Sequence, residues 1–557
     1  MKISIIIILC FVLLVYFLYD IYKQKNKLLN KISSSFGKKP ENYYEDFDMN
    51  FVKQYYKVRK ENETVRNSID ELTWNDLDMD LVFKRTNYTS TTLGEAYLYY
   101  KYREVYYDKN EWDDIEKLIN IFMKNDNLRN NVHMNLLKVG KLNNNNLINF
   151  LYKPTFSKIH GYFKYPLMVV LLICSIILSF IKPNIGIGLA ILCLCVNALL
   201  YHSTKIYLQN NLNVMIYLLS NIKMFSNLCK IKDKEFEIVN NKIKLLLDDF
   251  RDIRKIKRYS LRLNQNDNGI MSDALIFMEY VRMFFCVDII AYENAVRILE
   301  KNREKLLEIY DFIAKVDFAM SIAYYRKSVD EYTNPEFIET NEIELIDVYH
   351  PLIDNAVKNS INIKNNIMFT GSNASGKSTF IKSIALNCIM AQSLNTALCS
   401  KYRGKFSKVI TSMAIKDNVL EGDSYFIAEI KSLKRLLDSL DSDINIFIFI
   451  DEILKGTNTI ERISASAAIL KYTAKFNNVT TLVATHDLEL TQMLNSEYTN
   501  YHFQETVTDN DVIFDYKLRE GVSKTRNAIK LLKMMKFESN IVDLADSICN
   551  EFIKNQK

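Results

Sequence analysis

Apolar positions fall into three patterns along the chain. Residues 3–19 form an uncharged apolar run, and 166–201 hold two more, PLMVVLLICSIILSF and IGLAILCLCVNALLY, joined through IKPNIG. The stretch 43–340 reads as mostly helical. From 343 onward, short continuous apolar runs of β type alternate with segments of helical spacing.

The first run approaches bilayer-spanning length for a helix rising about 1.5 Å per residue. Asp20 follows it, then Lys23, Lys25, Lys27 and Lys31, with no small-residue cleavage site. This pattern predicts an uncleaved anchor over 1–22 whose C-terminal side is cytoplasmic. In the second block Pro183 suits a turn because it cannot continue a helix. Lys153, Lys158, Lys164 and Lys205 flank the block, so both ends of this transmembrane hairpin at 166–201 are expected on the cytoplasmic side. The chain is therefore expected to be a multi-pass membrane protein. A buried core hairpin is the competing reading, because each arm is slightly short for a bilayer.

With 48% hydrophobic residues over 557 positions, the chain can bury a core and hold two or three domains. Its net charge of +6 is small enough for the membrane flanks to absorb, so charge alone does not point to nucleic acid. The nine cysteines form no CxxC pair and are read as reduced, packed thiols.

The chemistry concentrates late in the chain. The apolar run 366–370 leads directly into Gly371-Ser-Asn-Ala-Ser-Gly376-Lys377-Ser378-Thr379, a GxxxxGK[ST] phosphate loop followed by a helical segment. In this setting glycines let backbone N–H groups converge on phosphates at a helix N-terminus. Gly371, Asn373, Gly376, Lys377, Ser378 and Thr379 are the expected ATP-binding set, with Lys377 neutralising the β/γ-phosphates and Ser378 ligating Mg²⁺. The run 445–450 ends in Asp451-Glu452, two acids costly at the end of a buried strand unless they hold a metal or do chemistry. Asp451 is assigned to Mg²⁺ and Glu452 to polarising the attacking water; a helix-capping acid pair is the bland alternative. A third run, 479–485, delivers His486 to the same sheet edge, where it would sense the γ-phosphate.

Together these segments resemble the MutS ATPase. GSNASGKST, then Asp451-Glu452 with Lys455-Gly-Thr-Asn-Thr459, then Ala484-Thr485-His486 with LELTQML, are similar to that family's GPNMGGKST, DEIGRGTST and ATH…ELT in order and spacing. Residues 417–429, with Gly422, Ser424 and Glu429, resemble its signature segment, and Tyr349-His350-Pro351-Leu352 its entry to the ATPase domain. Residues 81–95 are similar to the start of its helical core. The resemblance implies an α/β P-loop NTPase over 343–557, ABC-like, preceded by a helical core and lever region at 43–340 that the hairpin interrupts. It also implies a homodimer in which Ser424 of one subunit completes the neighbour's site. An amphipathic helix with Phe426, Ile427, Ile430, Leu433, Leu437 and Leu440 on one face is expected to follow that serine.

The departures are Ser372 for the loop proline, Ala374-Ser375 for Met-Gly, Leu454-Lys455 for Gly-Arg, and Asp423 beside Ser424. No mismatch-reading Phe-x-Glu segment is recognisable near the start; Phe503-Gln504-Glu505 has the letters but follows the ATPase motifs. The chain thus resembles the shortened, membrane-bound members of the family. Two functions fit: ATP hydrolysis coupled to DNA binding, with DNA resting on family analogy, or a membrane ATPase whose dimer closure drives a partner other than DNA.

Overall fold

The computed structural model describes residues 19–555 apart from 21, 24, 41–48, 63–67, 105–107, 143, 145, 153–157, most of 249–272, 341, 373–374, 414–424, 441–443, 456, 508–511 and most of 524–536. Residues 1–18 of the expected anchor lie outside the described residues.

The described part is helical from Asn50–Asn62 to Arg303–Lys327. Twelve described strands follow: β1 (Glu336–Phe337), β2 (Ile343–Val348), β3 (Asn359–Ile363), β4 (Asn366–Thr370), β5 (Lys401–Gly404), β6 (Lys408–Ser412), β7 (Ile446–Asp451), β8 (Val479–Ala484), β9 (Tyr498–His502), β10 (Glu505–Val507), β11 (Val512–Phe514) and β12 (Arg519–Glu520). The central sheet has the order β12-β9-β4-β8-β7-β6, parallel throughout except where β12 joins β9. Parallel strands need both faces covered, which explains why β7 and β8 are nearly continuous apolar runs. A second sheet, β1-β5-β2-β3, and the β10–β11 hairpin flank it.

The Thr92–Arg103 helix is buried along its whole length. Asp317, on the Arg303–Lys327 helix, accepts from the Ser90 N–H and from the Thr91 N–H and hydroxyl at 2.6–3.1 Å, bracing this N-terminus from outside. Burial raises the Asp317 carboxyl to about 6, against the pull of those donors. Only glycine fits at 94, because a Cβ there would stand 2.3 Å from the Asp317 carboxylate.

Polar joints tie these helices to the sheets. Arg326 donates to Glu116 at 2.6 and 2.9 Å, to the Asn395 carbonyl at 2.8 Å and to the Thr396 hydroxyl at 2.9 Å. Asp76 accepts from the Thr411 hydroxyl at 2.7 Å and the Met413 N–H at 2.9 Å, at the end of β6. Arg435 pairs with Asp70. One apolar cluster runs without interruption from Met49 to Phe503.

The hairpin differs from its expected form. Its first arm is the 18-residue Lys164–Ile181 helix, but the second is one unbroken helix of 46 residues, Pro183–Leu228, rather than a short arm ending near Tyr201. Beyond Gly188 it contains neither glycine nor proline, and Leu208, Leu212, Met215, Leu219 and Ile222 bury against the other helices. The arms meet closely at Gly186, where a Cβ would stand 2.2 Å from the Ser179 nitrogen. Between 163 and 200 large apolar side chains face outward, Phe180 85% exposed and Leu199 73%, so the hairpin is not a core element of the described chain. Cys174 and Cys195 are exposed on it, whereas Cys286, Cys388 and Cys399 are packed as expected.

Candidate active site

The carboxyl ends of β4, β7 and β8 lie side by side, which brings the loop after β4, the acids after β7 and the histidine after β8 to one edge of the sheet. Gly371 leaves β4 at φ 140°, and a Cβ on it would lie 2.6 Å from the Phe503 carbonyl oxygen. Gly376, at φ 99°, caps the Lys377–Leu394 helix. Both turns therefore require glycine. Asn373, between them, lies outside the described residues.

Lys377 is 2% exposed, and its Nζ donates to the carbonyls of Gly371 and Ser372, each at 2.7 Å. Burial pushes the ammonium down to about 8, although Glu452, Asp451 and Glu505 favour its charge. Ser378 and Thr379 occupy the first turn of the helix beside it.

Asp451 ends β7, opposite Ala484 of β8, and its Oδ1 is buried with no hydrogen-bond partner. A buried, unpartnered carboxylate oxygen is costly unless a cation joins it. It sits on the same edge as Ser378, and this hard oxygen set suits Mg²⁺.

Glu452 follows at φ 60°, a left-handed conformation that strains a residue with a side chain, and its N–H bonds the Ala484 carbonyl at 2.9 Å. Its Oε1 lies 2.7 Å from His486 Nε2 and its Oε2 2.8 Å from Lys455 Nζ. Burial disfavours the ionised carboxylate, yet hydrogen bonds from His486 and Lys455 outweigh burial and hold the group down to about 2. His486 is placed by its neighbours: the Thr485 N–H bonds Phe369 O at 3.0 Å, and Arg462 grips Asp487 at 2.7 and 3.0 Å.

Lys377, Ser378, Thr379, Asp451, Glu452 and His486 thus share one edge, as sequence reasoning expected. Ser424, with the whole of 414–424, lies outside the described residues. The helix after it, Tyr425–Asp438, differs from its expected face. Glu429, Ser432, Leu433, Leu436 and Leu440 turn inward, while Ile427 and Ile430 are exposed. Two polar contacts set this rotation: Glu429 Oε1 accepts from the Lys455 N–H at 3.2 Å and Ser432 bonds Ser412 at 3.0 Å. Glu429 is the acid that sequence reasoning quoted without a role; its i, i+3, i+4, i+7 spacing with 432, 433 and 436 would have placed it on the buried face.

A cavity of about 480 Å³ adjoins the loop, lined by Gly376, Ser378, Thr379, His350, Phe503 and Tyr516 among others. Tyr516 stacks on Phe514, and Asn359 holds its carbonyl at 2.9 Å. His350 is lowered to about 4, by burial first and by Lys382 second, so the cavity has an uncharged imidazole and an aromatic ring on its walls. Sequence reasoning missed Tyr516, because no pattern near 516 marks it. Phe503 is buried and packs edge-on against Phe380, 5.6 Å between ring centres, so Phe503-Gln504-Glu505 lies against the Gly371–Thr379 loop.

Residues 367–553 match the family described as MutS domain V. The chain is 28% identical over 272 residues to the DNA mismatch repair protein MSH3 of Phaeosphaeria nodorum, covering 46% of this chain and 24% of that protein. It is 27% identical over 266 residues to the DNA mismatch repair protein MutS of Staphylococcus aureus, covering 46% and 30%. The matched region thus spans less than a third of either relative.

Proposed function

The chain belongs to the MutS family, and from that premise we propose that it is a membrane-held ATPase that works as a dimer and couples ATP hydrolysis to DNA binding. The observation that carries this reading is the shared sheet edge, where Lys377, Asp451 with its unpartnered oxygen, and the Glu452–His486 pair converge.

In this reading the triphosphate lies along the N-terminus of the Lys377–Leu394 helix, where backbone N–H groups and the helix dipole favour anions. Lys377 exchanges its two loop carbonyls for phosphate oxygens. Ser378 and Asp451 would hold Mg²⁺, whose chemistry is to neutralise charge on the transferring phosphoryl group. The nucleoside occupies the cavity beside His350 and Tyr516. Glu452 orients the attacking water. Its carboxylate oxygens have lone pairs beyond those that His486 and Lys455 take, so Glu452 can accept a hydrogen bond from that water with both partners in place. His486 then contacts the γ-phosphate. Exposed Ile427 and Ile430, just after Ser424, support a face that a second subunit covers.

The outward apolar surface of the hairpin supports a lipid environment: 18 residues of helix reach about 27 Å, close to a hydrocarbon core of about 30 Å. The continuity of Pro183–Leu228 into the helical core favours a second reading, in which dimer closure acts on a partner at the membrane. ATPase assays of the detergent-solubilised protein with and without duplex and branched DNA separate the two. Stimulation by DNA is expected, and a rate indifferent to every DNA would favour the second. Lys377→Ala should abolish nucleotide binding, whereas Glu452→Gln should keep ATP bound and stop turnover. Wild-type hydrolysis by Glu452→Gln would remove Glu452 from its role.

A further inference from the structure

The bend between β9 and β10 presses on the phosphate loop from behind. Two residues after Phe503, whose carbonyl crowds Gly371, Glu505 is 5% exposed, and its Oε2 accepts a hydrogen bond from the Ser372 hydroxyl at 3.0 Å. Ser372 is also the residue whose carbonyl takes Lys377 Nζ and the Ser375 hydroxyl, each at 2.7 Å. A single carboxylate therefore fixes the residue whose carbonyl holds the lysine.

Glu505 supports the charge of the buried Lys377, as Glu452 and Asp451 do. With nucleotide present, Asp451 and Glu452 have a cation and a water to engage, but a negative charge behind the cradle only repels the phosphates. Burial also keeps solvent from screening it well.

We propose that Glu505 is a positioning residue that limits nucleotide retention: through Ser372 it holds the loop in the shape in which Lys377 bonds the loop's own carbonyls, and its charge weakens binding of both ATP and ADP. The inference rests on the ATP reading of this site and gives that reading a regulation. A loop opposed by its own backing residue releases spent nucleotide faster than one whose surroundings are wholly cationic. Only affinity and release are affected, so Glu505 takes no part in the chemical step.

Equilibrium titration of the full-length protein in detergent, with a non-hydrolysable ATP analogue and Mg²⁺ and separately with ADP, tests this. Glu505→Gln keeps an acceptor for Ser372 and removes the charge. Measured at pH 7, below the Lys377 value, it should tighten the analogue by about tenfold and ADP by less. Its ADP release rate should slow by a similar factor, while Glu505→Asp, which keeps the charge but shortens the reach to Ser372, should match Ser372→Ala rather than Glu505→Gln. Ser372→Ala frees the loop without touching the carboxylate and should tighten both nucleotides by a smaller factor. Wild-type or weaker affinity in both Glu505→Gln and Ser372→Ala would overturn the proposal. Failure of the wild-type protein to bind nucleotide, or equal binding by Lys377→Ala, would instead overturn the ATP reading and this inference with it.

Discussion

On the proposed ATP reading, Lys377 makes the site's affinity for nucleotide depend on pH. Its ammonium, ordinarily near 10.5, is pushed by burial to about 8. It is then mainly charged at pH 7 and loses its proton as pH rises through about 8. Bound phosphates favour the charged form, so the bound-state value lies higher and binding takes up a proton in the interval between the two. Affinity is accordingly full below about 8 and falls as pH rises through it, by roughly tenfold, or about 1.4 kcal/mol, for each pH unit until the bound-state value is reached. A fluorescent, non-hydrolysable ATP analogue titrated between about pH 7.5 and 9.5 at constant ionic strength reads this directly, the lower limit being set to avoid titration of the nucleotide itself. Lys377→Arg supplies the control: a guanidinium stays charged over the whole range, so the slope should vanish even where the overall affinity changes. A wild-type affinity that is flat to pH 9.5, or a slope that survives in Lys377→Arg, would refute the reasoning.

Two other outcomes follow from the same structure. Cysteines introduced at 183–186 should be labelled from outside intact cells and those near Lys205 only after permeabilisation, once the exposed Cys174 and Cys195 are replaced; labelling of both regions from one side would show that the hairpin does not span. Mixing Ser424→Arg with Lys377→Ala subunits should restore up to about half of normal ATPase activity in mixed dimers if Ser424 acts on the neighbouring site, because one composite site then carries both lesions and the other neither; background activity in well-formed mixed dimers would leave Ser424 acting on its own subunit.

Much of the site was legible because its chemistry is written in short local stretches. The Gly371–Thr379 loop, the acids after β7 and the histidine after β8 each sit where an apolar run ends, so strand position and chemistry are read together. What escaped depends on long-range contact. Glu505 reaches Ser372 across 133 positions, and Asp76 reaches β6 across more than 330, with nothing in the intervening sequence to announce either. The face of Tyr425–Asp438 was misjudged because hydrophobicity alone put Ile427 and Ile430 inward, whereas polar partners for Glu429 and Ser432 decided the rotation. The second hairpin arm was cut short near Tyr201 because hydropathy falls there, although the helical spacing of buried residues continues to Leu228.

Departures from local rules occur along the described chain, Asp78 and Cys286 at φ 51° and 46° among them, but several of different kinds meet at one place. At the sheet edge a lysine is buried to 2% exposure, an acid oxygen lacks a partner, and Glu452 and Leu454 adopt left-handed backbone, at φ 60° and 57°. Strain and burial of this kind cost on the order of 1–3 kcal/mol per feature, and a fold keeps them where the surroundings over-determine them. Along the hairpin the violation is of another kind, a run of large apolar side chains turned outward. Neither set can be relieved by rearranging the chain locally. Lys377 would have to leave the loop it caps, and the Lys164–Ile181 helix has outward apolar residues on most sides, so rotating it hides one stripe only to expose another. On the proposed function each set is relieved by something added from outside: anionic phosphate with a divalent cation at the sheet edge, and hydrocarbon around the hairpin. The Pro183–Leu228 helix carries one of these surfaces at its start and is buried at its end in the same apolar cluster that reaches Phe503 behind the phosphate loop.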